Sequence, residues 1–281
     1  MNKSLNKDKH QIINEDKKLG IKWNYILITS YIINLILLIY VYFKVKFNII
    51  YFILIANAVI FTGIRSLYPV LEGKNICMYD ILSPFTTRTC ATIAEISFGT
   101  FLILVTINIL IFVQKQKKNN ILKKLEKICY FFIFLPVIAN MNCWMGVSTN
   151  LSLFNSIEES LWTFYAILLL VTYLLIFNNI NKKINNFSLI RNISVLVIII
   201  LILYILYMIF IDVPMYIKRY IYINSPNDIY KLSNGISDMF KCKLISNKYS
   251  DWNEEILWMT SYFVLLIPLL IYSYYINSKF I

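Results

Sequence analysis

Several acidic side chains stand where acids are costly, at or just inside long apolar runs. Glu95 follows Thr89-Cys90-Ala91-Thr92 and falls about one turn inside such a run. Two further runs open with the same pattern, Glu158-Glu159-Ser160-Leu161-Trp162 and Glu254-Glu255-Ile256-Leu257-Trp258. Another run ends in Asp212-Val213-Pro214, and Asp80 closes the loop sequence Cys77-Met78-Tyr79-Asp80. A bare carboxylate below the headgroups of a bilayer costs several kcal/mol unless it is paired or hydrated. Acids at such depth therefore bind cations, relay protons or hold an arginine. Arg65 and Arg88 are the natural partners of Glu95 by position. The expected binding set is Arg65, Asp80, Arg88, Glu95, Glu159, Asp212 and Glu255.

A plainer reading competes for some of these residues. Acids in the first turn of a helix interact with its positive end, worth about 0.3–1 kcal/mol. Ser156-Ile157-Glu158-Glu159 fits a capping box, and Asp251 and Glu254 have similar spacing. One acid suffices for capping, so Glu159 and Glu255 are in excess. The tryptophans one turn further on are interfacial anchors. Val213 before a proline disfavours helix, so Asp212-Val213-Pro214 reads as a helix stop. Asn140 and Asn142 sit in an apolar run and suit interhelical hydrogen bonds, worth about 0.6 kcal/mol on average.

The rest of the sequence narrows the chemistry. His10 is the single histidine and lies in a polar stretch, so histidine metal sites, Ser-His-Asp triads and histidine relays within the membrane are unavailable. No lysine lies in the last apolar run to carry a retinal Schiff base. Neither a nucleophile with its base nor a metal set is apparent, which ranks a membrane-embedded lipid-modifying enzyme behind two other readings. These are binding or transport of a small cationic or zwitterionic solute, ion or lipid headgroup, and ligand sensing by a seven-helix receptor. No cofactor is expected. Cys129 and Cys143 fall in an apolar run and read as inert thiols. Cys77, Cys90 and Cys242 fall in segments read as loops of one side, where two of them can form a disulfide.

The elements that must position these residues follow from hydropathy. Of 281 residues 59% are hydrophobic and 15% charged, and mean hydropathy is +0.65. Runs of roughly 20 apolar residues, enough for a hydrocarbon core of about 30 Å, recur along the chain. Seven spans are predicted, at 23–43, 47–64, 91–113, 128–147, 157–177, 193–213 and 254–275. The fold class is an all-α integral membrane protein, a bundle of about seven transmembrane helices. It has a polar N-terminal tail at 1–22, a membrane domain at 23–276 and a short C-terminal tail at 277–281. The first run is too long for a signal-peptide core and reads as a retained anchor. A tight hairpin around Lys44-Val45-Lys46 joins the first two spans.

The formal charge of +12 comes from lysines that flank apolar runs, which suits anionic lipid headgroups. No basic stripe interleaves with exposed aromatics, so nucleic acid is not an expected partner. Lys115, Lys117, Lys118, Lys123, Lys124 and Lys127 crowd the third loop, while residues 148–156 carry no charge. That contrast places the third loop inside and the N-terminus outside, and offers the third loop to a cytosolic partner. Membrane lipids are the other expected partners.

Overall fold

The computed structural model describes residues 2–45, 48–116, 119–180, 187–222 and 229–278, with backbone alone for 2–12, 116 and 254. Lys46, Phe47, Lys117 and Lys118 lie outside the described residues, as does the side chain of His10. Among the described residues seven helices are long and apolar enough to cross a membrane: Ile13–Lys44, Ile49–Leu67, Pro84–Lys115, Asn120–Thr149, Ser152–Asn179, Phe187–Tyr222 and Glu255–Asn277. Their number and order match the seven apolar runs and suggest a multi-pass membrane protein.

In chain order the helices are α1 (Asn2–Lys44), α2 (Ile49–Leu67), α3 (Pro84–Gln116), α4 (Asn120–Phe132), α5 (Leu135–Thr149), α6 (Ser152–Asn179), α7 (Phe187–Tyr207), α8 (Val213–Tyr222), α9 (Leu232–Asp238), α10 (Asn253–Thr260) and α11 (Ile267–Asn277). Three two-residue strands, β1 (Val70–Leu71), β2 (Ile76–Cys77) and β3 (Leu244–Ile245), make one small sheet. β1 pairs antiparallel with β2, Val70 opposite Cys77, and β2 pairs parallel with β3, Ile76 opposite Leu244.

The polar stretch before Trp23 lies within α1. Two expectations about local structure are corrected. The lysine-rich third loop is largely helix: α4 begins at Asn120, where Asn119 Oδ1 caps it by accepting from the Ile121 amide at 2.8 Å. Leu122 and Cys129 are buried while Lys123, Lys124 and Lys127 are exposed, which is amphipathic periodicity that a charge count hides. The second correction concerns Pro214. The helix does not stop there but widens into a π-helical segment, Met208–Asp212, and continues as α8.

That widening explains itself. The Val213 amide reaches back to the Met208 carbonyl, five residues away, and the next residue has no N–H to offer. The same device recurs at Ser261–Leu266, where the Ile267 amide donates to the Tyr262 carbonyl just before Pro268. In π register the Phe263 carbonyl would look to residue 268, a proline. Ser30 Oγ and the Asn34 amide of α1 donate to it instead, each at 3.0 Å. Neighbouring side chains thus re-satisfy a carbonyl that the proline frees.

The chain divides into two compact units. The first comprises Met1–Ala94 and Ile236–Tyr272. In it α1 packs along α2 so closely that a Cβ on Gly63 would stand 1.9 Å from the Tyr31 ring. Its core gathers Trp23, Leu27, Leu71, Met78, Trp252, Met259 and Phe263. The Trp23 and Trp252 rings are 5.7 Å apart, and the Trp23 indole N–H donates to Thr260 Oγ1 at 2.9 Å. The second unit comprises Glu95–Gly235 and Ser273–Ile281. Here α6 is the axis, with α4, α5, α7 and α8 against it. The Tyr165 hydroxyl donates to the Gly99 carbonyl at 2.7 Å, and Asn119 reaches Asn179 at 2.7 Å.

Candidate functional site

In the first unit a cap is built from the sheet and the turns around it. Between β1 and β2 the chain makes one 3-10 turn, Glu72–Lys74, closed by Asn75 in the left-handed region at φ 51°. That turn aims Glu72 inward. Its carboxylate meets Arg65 at the end of α2 at 3.5 Å and Arg88 on α3 at 3.4 Å, and all three side chains are buried. The Arg65 guanidinium also lies over the Trp258 ring, 5.4 Å from its centroid, and the Trp258 indole N–H donates to Glu255. Cys77 and Cys242 form a disulfide with a Cα–Cα distance of 5.7 Å, which ties β2 to the segment leading into β3. Burial pushes the Tyr79 phenol above its ordinary pKa, and Tyr25 adds to the rise; the phenol donates to Asn24 Oδ1 at 2.8 Å.

The expected set is only partly reproduced here. Arg65, Arg88 and Glu255 belong to one connected arrangement, whereas Asp80 is exposed on the turn before α3. The place between the two arginines, assigned by position to Glu95, is held by Glu72. Nothing in the periodicity marks Glu72, since it sits in a short polar loop. Its signal was chemical: it is the single acid in the stretch between the two arginines besides Asp80. Cys90, read as a loop residue, is buried within α3 and free.

The second unit holds the remaining acids. Glu95 on α3, Glu158 and Glu159 on α6, and Asp212 at the end of the π segment all act electrostatically on the Tyr204 hydroxyl of α7. Glu158 is 5% exposed and Asp212 8%. Asp212 accepts from the Tyr207 hydroxyl at 3.4 Å, and Arg219, two turns on in α8, also acts on it. The capping reading of Glu158 is corrected by the position of the helix start. α6 begins at Ser152, so Ser156 lies inside it and donates back to the Leu153 carbonyl at 2.8 Å. Glu158 and Glu159 therefore sit in the second turn, past the amides that a capping acid serves. Asp251 likewise precedes the start of α10 by two residues and accepts from Ser246 Oγ.

Among the described residues no group of three or more His, Cys, Asp or Glu side chains stands close enough to hold a metal ion. No protein family, no curated protein and no solved structure matches this chain.

Proposed function

We propose that the chain is a multi-pass membrane protein that binds, and passes across the bilayer, a small organic cation or a zwitterion with a cationic head. One observation carries this reading: Glu95 of α3, Glu158 and Glu159 of α6 and Asp212 of the π segment all lie near enough to the Tyr204 phenol for their charge to act on it. Four acids around a phenol favour a diffuse ammonium or a lipid headgroup over a bare metal ion, which requires ligands at short, defined distances. A tyrosine face adds cation–π attraction, worth about 0.5–2 kcal/mol. The placement of Asp212 at a π segment fits a moving part, because such segments are frequent at functional sites.

The test is a thermal-shift titration of the purified full chain with choline, tetramethylammonium and phosphoethanolamine. A ligand present at about 100 times its Kd stabilises the folded state by about 2.7 kcal/mol. The expected outcome is a shift in the unaltered protein that disappears in Glu159→Gln while the ligand-free transition stays in place. A shift of equal size in Glu159→Gln, Asp212→Asn and Tyr204→Phe would remove the site.

A further inference from the structure

We infer that the disulfide-fastened cap of the first unit faces away from the cytosol, so that the N-terminus lies outside and the C-terminus inside. The inference needs only the cap and the spans and is independent of what the acids bind.

Three observations converge on it. The first is covalent. Disulfides form and persist in oxidising compartments and are reduced in the cytosol. The Cys77–Cys242 bond is built into the cap rather than appended to it. Its two halves lie beside a parallel ladder in which the Ser246 amide donates to the Cys77 carbonyl at 2.9 Å, and the Lys243 amide donates to the Asn75 carbonyl at 2.8 Å. Stacking of Phe85 on Phe240, 4.4 Å between centroids, holds the same segment to the start of α3.

The second observation places the N-terminal stretch on the cap's side. Asp16 of α1 accepts from the Ser250 amide at 3.0 Å and from the Ser250 hydroxyl at 2.6 Å. Gly20 lies so close to the Asn247 carbonyl that a Cβ would come within 2.1 Å of its oxygen. The lysines before Trp23, which by themselves argue for a cytosolic N-terminus, are therefore carried on the helix that packs against the cap.

The third observation is the lysine contrast. Lys115 lies in the last turn of α3, and Lys123, Lys124 and Lys127 are exposed on the first turns of α4. Short, lysine-rich connections stay in the cytosol. α3 runs from Pro84, next to the cap, to this connection, so the two ends of one span give the same orientation from independent evidence.

Two measurements on the full-length chain test this. Single cysteines are introduced at exposed positions as Ser237→Cys, in α9 beside the cap, and Lys123→Cys, in α4, and intact cells are treated with a membrane-impermeant maleimide. Ser237→Cys should label in intact cells and Lys123→Cys only after permeabilisation. The reverse pattern, or labelling of both in intact cells, overturns the inference. Mass mapping of protein alkylated before reduction should leave Cys77 and Cys242 unmodified until reductant is added. Recovery of both as alkylated thiols from unreduced membranes also overturns it.

Discussion

The two units handle buried charge in different ways. In the first, one carboxylate lies between two guanidiniums, Glu72 between Arg65 and Arg88, with Trp258 beneath one of them. The signs alternate, so each charge is held by the next and the cluster fastens α2, the 3-10 turn and α3 together. In the second, Glu95, Glu158, Glu159 and Asp212, from three elements, act electrostatically on the Tyr204 phenol, and Arg219 acts on Asp212. The first arrangement ties three elements by direct ion pairs, whereas the second turns acids from three elements toward one phenol. The backbone repeats the contrast. Both units contain a π segment ahead of a proline, but one has its freed Phe263 carbonyl held by Ser30 and Asn34, while the other ends in Asp212.

The comparison can be broken most forcefully at Glu72. Glu72→Gln leaves two buried arginines without their shared counter-charge, and breaking a buried ion pair from one side costs about 3–5 kcal/mol. The expected result is a large fall in thermal transition temperature and in accumulated protein. A transition within a degree or two of the unaltered protein would mean the cluster is not structural. The next effect concerns the Phe263 carbonyl. The double substitution Ser30→Ala with Asn34→Ala leaves a buried acceptor bare, at about 1–3 kcal/mol. Adding Pro268→Ala supplies an amide in π register and should recover part of that loss; a triple variant less stable than the double would refute the register argument. The smallest effect on stability is expected at the second unit. Asp212→Asn keeps the shape and an acceptor for the Tyr207 hydroxyl, so its transition should move by less than about 1 kcal/mol. Strong destabilisation there would place Asp212 with Glu72 as an architectural group.

The spans were legible because apolar runs of this length have few other uses, and the structure places helices over all seven. The position of Glu158 and Glu159 on α6 was legible too, because the two acids open such a run. Three features were not legible, for different physical reasons. Glu72 was hidden because its importance comes from the turn that directs it inward, and a two-residue strand has no periodicity to read. The continuation through Pro214 was hidden because the rule for residues before proline assumes α register, which the π segment evades. The helix at α4 was hidden because its lysines were counted as a loop rather than placed on a helical wheel. Of the cysteines, composition narrowed the disulfide to three candidates, and only geometry chose Cys77 and Cys242 over Cys90.

The cap also sets a schedule for biosynthesis. Cys77 and Cys242 are 165 residues apart, and the chain between them includes four of the seven candidate spans. At a synthesis rate of about 5–20 residues per second, roughly 8–33 s separate the emergence of the two thiols. β2 can pair with β1 as soon as the hairpin is made, but β3 must wait until those four spans have been delivered to the bilayer. Sealing of the cap is thus a late event. It closes a covalent ring around the middle of the chain, so that a single proteolytic nick inside that ring leaves both fragments joined until a reductant is added.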